Sequence, residues 1–129
     1  MDPELRGRNI NLSVHAEEKI TAQADPEMIE QVLINLVKNA AEAFDNQPDA
    51  QIVITLNKHP HQQANIIVQD NGPGIPAELV DQIFIPFFST KNRGSGIGLS
   101  LCRQMMRLHK GRISLQQSGP EGTSFVLVW

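Results

Sequence analysis

Apolar residues recur along this chain with two periods, and each period predicts a different kind of element. Alternation of apolar and polar side chains, as at Ile10, Leu12 and Val14, is typical of a half-buried strand. Strand patterns of this kind, or short β-branched runs, cover 9–15, 51–57, 64–69, 112–116 and 123–128, with a shorter candidate at 19–24. The chain is therefore predicted to contain five or six short strands.

Helical spacing predicts a long first helix and a short second one. The long helix extends from Asp25, an N-cap residue followed by Pro26, to about Phe44. Its apolar stripe consists of Ile29, Val32, Leu33, Leu36, Val37, Ala40 and Phe44. A short helix with an early proline is predicted at 76–83.

A third helix is predicted at 97–109, with Gly111 as its C-terminal cap. One face of this helix carries Ile97, Leu101, Met105 and Leu108. The neighbouring pair Met105 and Met106 is interpreted as core filling. Three helices and several strands pack most economically as one sheet covered on one face by helices.

The composition is that of one globular domain, with 129 residues, 40% of them hydrophobic and 19% charged. A net charge of −3 without a basic cluster disfavours a nucleic-acid-binding protein. No apolar run approaches the roughly 20 residues that span a bilayer. We therefore expect a cytoplasmic chain that is not membrane-inserted, whether or not the complete protein carries an anchor. Residues 1–8 are interpreted as linker or vector-derived sequence, and 9–129 as the domain.

The single cysteine, Cys102, excludes an internal disulfide and a multi-cysteine metal site. We expect Cys102 to be a small buried apolar residue on a helix.

Polar residues of an unusual kind lie on the long helix. Asn35, Asn39 and Glu42 are spaced i, i+4 and i+7, so they share a face, which we place roughly opposite the apolar stripe. An amide oxygen suits one position on a Mg²⁺ ion that phosphates and water otherwise hold. A plain solvated face explains the same residues equally well, so this helix alone does not decide.

The run Asp70-Asn71-Gly72-Pro73-Gly74-Ile75 follows an apolar strand. Asn-Gly and Pro-Gly are strong turn signals, and a turn alone accounts for the run. Alternatively, Asp70 accepts a hydrogen bond from an exocyclic amine such as that of adenine, and the glycines let a flat ring approach the backbone.

Glycines precede the third helix in the run Gly94-Ser95-Gly96-Ile97-Gly98-Leu99. A helix N-terminus presents free N–H groups and a positive dipole, so phosphate binding is favoured over a flexible connector. Lys91 and Arg93 supply cations for the same anion. The run lacks the Lys-Ser/Thr of a Walker A loop and the glycine spacing of a dinucleotide fingerprint.

The run at 119–122 is explained by a hairpin turn, but Thr123 after it offers a hydroxyl to support Asp70. Together these features predict a purine nucleotide site. Asp70 would bind the base, Asn39 the Mg²⁺ ion, and the 94–98 loop the phosphates.

These runs resemble the sequence boxes of the catalytic, ATP-binding domain of bacterial sensor histidine kinases, in the superfamily shared with gyrase, Hsp90 and MutL. Five boxes occur in order, namely an N box at 35–40, a first glycine box at 70–75, an F box at 84–91, a second glycine box at 94–99 and a closing glycine motif at 119–123. The resemblance covers roughly 9–128.

The resemblance implies an α+β two-layer sandwich of the Bergerat ATP-binding type. Its mixed, mostly antiparallel sheet has about five strands and is covered on one face by three helices. ATP is expected beneath a lid at about 84–96, which is short as in kinases of the nitrogen-regulation type. The cofactors implied are ATP and Mg²⁺.

The resemblance also assigns roles to residues of the boxes. Asn35, Asn39 and Lys91 are assigned to catalysis, and Asn39 to Mg²⁺, with Asn35 and Glu42 reaching the ion through water. Nucleotide contacts are assigned to Lys38, Asn39, Asp70, Gly72, Gly74, Ile75, Phe88, Thr90, Lys91, Arg93, Gly94, Ser95, Gly96, Ile97, Gly98, Leu99 and Thr123.

One position distinguishes the members of this superfamily by reaction. The ATP-hydrolysing members have a Glu four residues before the Mg²⁺ Asn, as a base for water. Here Asn35 occupies that place and takes no proton, which favours transfer to an external nucleophile.

The function implied is transfer of the γ-phosphoryl group of Mg-ATP to a histidine on a separate dimerisation domain. The reaction belongs to two-component signal transduction, with a response regulator downstream. An ATPase clamp like those of gyrase, MutL and Hsp90, or a non-catalytic nucleotide-binding module, are the alternatives.

None of the histidines, His15, His59, His61 and His109, has the sequence context of the family's phosphoacceptor. The acceptor is therefore expected on a separate dimerising domain. This chain is interpreted as a catalytic fragment that is monomeric by itself.

Overall fold

The computed structural model describes residues 10–16, 26–44, 49–58, 64–85 and 98–128. The elements in chain order are β1 (Asn11–Ala16), α1 (Pro26–Ala43), β2 (Gln51–Lys58), β3 (Ala64–Asp70), a 3-10 helix (Ala77–Gln82), α2 (Gly98–Leu108), β4 (Arg112–Gly119) and β5 (Gly122–Val128). The candidate strand at 19–24 lies outside the described residues, as does most of the predicted lid.

The five strands form one sheet in the order β1-β2-β3-β5-β4. β1 and β2 are parallel, and each of the other neighbouring pairs is antiparallel. The prediction of a mixed, mostly antiparallel sheet of about five strands is confirmed. β3 lies at the centre of this sheet, so the loop that follows Asp70 leaves from the middle of the fold.

One face of the sheet forms the core with α1 and α2. Residues opposite one another in neighbouring strands share a face, and the row Ile54, Val68 and Phe125 is buried across three strands. The predicted stripe of α1 is confirmed, because Val32, Leu36, Val37, Ala40 and Phe44 are buried, and Ile29 and Leu33 pack against them.

The predicted apolar face of α2 is wrong at Leu101 and Leu108, whereas Met105 packs against the core as expected. Cys102 and Met106 are the buried residues of this helix, whereas Leu101 is 37% exposed and Leu108 is 75% exposed. Adjacent helical positions differ by about 100°, so the true face is rotated by one residue from the predicted one. Both faces carry apolar residues at helical spacing, and only contact with α1 and the sheet selects between them. Burial of Cys102 and of Met106 was predicted correctly.

The predicted short helix at 76–83 is present as a 3-10 helix (Ala77–Gln82). Two element ends differ from the expectation. β4 continues to Gly119 through an irregular register between Leu115 and Gln117. At the end of α2, Lys110 takes the left-handed conformation (φ 62°), so that Gly111 lies one residue beyond the cap position assigned to it. The Gly111 N–H donates to the Met106 carbonyl at 2.7 Å, which is the Schellman arrangement.

Candidate functional site

Asp70 ends β3 and is one of the few charged residues placed in the core. It is 8% exposed, and it is paired with Ile52 on one side and Thr123 on the other. A buried carboxylate is costly unless it is hydrogen-bonded. The Gly72 N–H donates to Asp70 Oδ1 at 2.9 Å, so the loop itself satisfies part of this requirement.

Asn71 fastens the same loop to the beginning of β2. The Gln51 N–H donates to Asn71 Oδ1 at 2.7 Å, and Asn71 Nδ2 donates to the Asp49 carbonyl at 2.7 Å. The side chain therefore continues the β2–β3 pairing beyond the last strand residue. The sequence identified Asn71 as a turn residue but not as this connection.

The hairpin between β4 and β5 lies directly against the loop. Gly74 has φ 83°, and a Cβ there would overlap the carbonyl oxygen of Gly119. Gly122 has φ 138°, and a Cβ there would overlap the carbonyl oxygen of Asp70. Only glycine meets both the backbone angle and the close approach, so both glycines are structural requirements.

Ser118 is a residue of the site that the sequence did not reveal. Its hydroxyl accepts the Ile75 N–H at 2.7 Å and lies 3.5 Å from the Ile75 carbonyl. It also lies 3.3 Å from the hydroxyl of Thr123, the residue paired with Asp70. A serine near a hairpin turn carries no distinctive sequence signal, because its partner Ile75 is 43 residues away.

Only some of the polar residues of α1 have the exposure that the sequence pattern predicted. Asn35 and Asn39 are half-buried, while Lys38 and Glu42 are exposed. The Asn35 side chain lies near the buried thiol of Cys102 on α2 and acts by hydrogen bonding to lower the pKa of that thiol. The expectation that Asn35 lies opposite the apolar stripe is therefore wrong, because α2 covers this flank of α1.

Cys102 links the two helices by a second contact, since its thiol donates to the Val32 carbonyl over 3.8 Å. Burial raises the pKa of the Cys102 thiol from 9.0 to about 11, against the opposing effect of the hydrogen bond from Asn35. This thiol contact holds α2 against the turn of α1 that carries Val32.

α2 begins at Gly98, and among the described residues no atom lies within 4 Å of the place where Gly98 would carry a Cβ. The first N–H groups of an α-helix have no partner within the helix. Leu99 is half-buried and packs against the core. Glycine at the first position of a helix, whose N-terminus carries the positive end of the helix dipole, suits the approach of a phosphate.

The remaining candidate residues lie outside the described residues, and they are Phe88, Thr90, Lys91, Arg93, Gly94, Ser95, Gly96 and Ile97. The chain before them is anchored at Phe84. Its ring packs edge-on against Phe125, with centroids 6.2 Å apart, and the Arg103 guanidinium lies 5.3 Å from the ring centroid.

Within the described residues, no three His, Cys, Asp or Glu side chains are grouped so that they could hold a metal ion. No helix of the same residues is long and apolar enough to cross a membrane.

Comparison with known proteins identifies the family. A sequence profile described as histidine kinase-, DNA gyrase B- and HSP90-like ATPase matches residues 24–129. The chain belongs to this ATPase family. The resemblance inferred from the five boxes is confirmed, and so is ATP as the nucleotide class of the family.

Individual relatives place the chain near the histidine kinases of this family. It is 35% identical to the sensory histidine kinase/phosphatase NtrB of Rhizobium leguminosarum bv. phaseoli, covering 94% of this chain and 35% of that protein. The catalytic domain of histidine kinase ThkA superposes with a TM-score of 0.83 at 35% identity, covering 97% of this chain and 81% of that chain. The predicted two-layer α+β fold is therefore confirmed as the fold of a histidine kinase catalytic domain.

A second ThkA structure contains that kinase in complex with the response regulator TrrA. It matches at 34% identity with a TM-score of 0.77, covering 97% of this chain and 35% of that chain. This chain spans between 18% and 35% of the length of the curated kinases it matches.

Proposed function

We propose that this chain binds Mg-ATP and transfers the γ-phosphoryl group to a histidine on a separate dimerisation domain. The observation that carries the proposal is the buried Asp70 carboxylate, held at the end of the central strand by the Gly72 N–H. A carboxylate in such a place is an acceptor for the amino group of adenine. The similarity to sensor histidine kinases supports the choice of reaction.

The base would lie against the loop 70–75. Asp70 would accept the adenine amino group, with Gly72, Gly74, Ile75 and Thr123 shaping the wall around it. The phosphates would extend toward Gly98 and Leu99 at the start of α2. Lys38 and the candidates between Phe88 and Ile97 would complete the contacts.

The donor set of α1 fits Mg²⁺ better than a metal that needs a cage of protein ligands. Asn39 would supply one amide oxygen, and Asn35 and Glu42 would act through water. Mg²⁺ characteristically keeps water and phosphate ligands and takes only one or two from the protein. Bound Mg²⁺ would neutralise negative charge on the phosphates.

The chemistry then consists of positioning and charge neutralisation. The bond between the γ-phosphorus and the β–γ bridging oxygen breaks, a bond from an acceptor imidazole nitrogen to that phosphorus forms, and ADP leaves. Lys91 and Arg93 would stabilise the transferring group. Asn35 does not accept a proton from water, so hydrolysis is disfavoured.

The partners proposed are the dimerising acceptor domain and a response regulator. ThkA is a kinase that forms a complex with such a regulator, which supports this assignment. The isolated chain is proposed to be monomeric and to act in the cytoplasm.

Labelling with γ-³²P-ATP tests the proposal. This chain, mixed with the dimerising domain of its own protein, should label a histidine with an acid-labile, base-stable phosphate. The Asn39→Ala variant should lose labelling together with Mg²⁺-dependent binding. Absence of labelled histidine, or steady ATP hydrolysis by the chain alone, would contradict a kinase and favour an ATPase clamp.

A further inference from the structure

Ser118 contacts both the loop that follows Asp70 and the strand that lies beside Asp70. On one side it binds Ile75, which ends the loop that leaves Asp70. On the other side its hydroxyl lies 3.3 Å from that of Thr123, which is paired with Asp70 across β3 and β5. One half-buried serine thus connects the loop after the carboxylate with the strand beside it.

The contact to Ile75 restrains the backbone that holds the carboxylate. The loop that connects Asp70 to Gly74 and Ile75 includes Gly72, and the Gly72 N–H binds Asp70 Oδ1. When the Ile75 N–H is fixed at 2.7 Å from Ser118, the loop has little freedom to carry Gly72 away from Asp70.

A serine hydroxyl has one hydrogen to donate and two lone pairs to accept. At Ser118 the Ile75 N–H uses one lone pair, and the hydrogen can be donated to Thr123 Oγ1 at 3.3 Å or to the Ile75 carbonyl at 3.5 Å. Alanine at this position would remove these bonds and leave the Ile75 N–H without its acceptor.

We propose that Ser118 is a positioning residue for base recognition, which fixes the direction of the Asp70 carboxylate and so sets the preference for adenine over a 6-oxo purine. This inference rests on the proposed function, because it takes Asp70 as the acceptor for the adenine amino group. A 6-oxo purine presents an acceptor to the carboxylate at that position, so discrimination depends on how firmly the carboxylate is held.

Calorimetric titration of this chain with Mg·ADP and with Mg·IDP tests the proposal, since the two ligands differ at the 6-position of the base. Wild type should prefer ADP. In Ser118→Ala the affinity for ADP should fall about fivefold, the equivalent of one ordinary hydrogen bond. The affinity for IDP should change less, so that the ratio of the two affinities narrows. Ser118→Thr, which keeps the hydroxyl, should restore the ratio.

Ser124→Ala is the matched control. Ser124 is buried in the same hairpin and donates to Gln116 at 3.3 Å. It is the chain neighbour of Thr123, so its side chain lies on the opposite face of the sheet from Asp70. This variant should lose stability to a similar degree and keep the wild-type preference for ADP.

Amide hydrogen exchange tests, in the absence of nucleotide, whether Ser118 restrains the Ile75 amide. Exchange at Ile75 should be slow in wild type and Ser124→Ala, and fast in Ser118→Ala. Fast exchange with an unchanged ADP-to-IDP ratio, or an equal loss for both ligands, would overturn the role of Ser118 while the proposed function stands. A Thr variant as unselective as the Ala variant would also overturn it. Wild-type protein that binds neither nucleotide would overturn the proposed function itself.

Discussion

The loop at 70–75 is held on both sides by the sheet, whereas none of the described residues outside α2 crowds Gly98 at the start of that helix. We call the first region the base end, made of 70–75 and the hairpin residues Ser118 and Thr123. The second is the phosphate end, made of Asn35, Asn39 and Gly98. At the base end, side chains bind backbone groups at 2.7 to 2.9 Å. At the phosphate end, the described residues leave 4 Å clear around the missing Cβ of Gly98.

This difference indicates that the two ends use glycine for different purposes. Gly74 and Gly122 are required by the protein itself, because a side chain would overlap backbone atoms of the sheet. No such overlap with the described residues requires glycine at position 98.

Replacing each kind of glycine with alanine should give the largest difference in the free energy of unfolding. Gly74→Ala combines a left-handed backbone angle with overlap onto Gly119, and we expect it to lower the free energy of unfolding by about 4 kcal/mol. Gly98→Ala should leave the free energy of unfolding unchanged or slightly raised, because alanine favours helix. Chemical denaturation measures both, and equal destabilisation by the two variants would contradict the comparison.

The next comparison is between a buried and an exposed residue of α2, the helix that begins at Gly98. Met106 is 1% exposed and Leu108 is 75% exposed. Met106→Ala should therefore cost roughly 3 kcal/mol of unfolding free energy, from lost burial and the cavity left behind. Leu108→Ala should cost less than about 0.5 kcal/mol. If Leu108→Ala lost more unfolding free energy than Met106→Ala, the result would instead support the helix face predicted from periodicity.

The pH dependence of stability tests the burial of the Cys102 thiol between α1 and α2. Folding raises the thiol pKa from 9.0 to about 11, so the folded state favours the protonated thiol. The resulting stabilisation is complete below about pH 9 and is lost as the pH rises toward the folded pKa of about 11. Between these limits wild type should lose roughly 2–3 kcal/mol more than Cys102→Ala. Parallel pH profiles for the two proteins would show that the thiol does not ionise differently on folding.

The sequence predicted those features that local pattern determines. The α1 stripe from Ile29 to Phe44 repeats at helical spacing over about four turns, and Asp70 stands directly after an apolar strand, so both were placed correctly. The role of Ser118 was missed because it depends on the register that brings β4 beside a loop 43 residues away. The face of α2 was misplaced because apolar residues occupy two adjacent faces. Asn35 was placed away from the core because the sequence does not show which flank of α1 a second helix covers.

Amide chemical-shift mapping of this chain tests the central claim, that one nucleotide occupies both ends. Adenosine alone should shift the amides of Gly72 and Ile75 and leave those of Gly98 and Leu99 in place. Mg·ADP should shift all four. A Mg·ADP titration that leaves Gly72 and Ile75 unshifted, or that instead shifts residues on the opposite face of the sheet such as Thr55, would contradict the account.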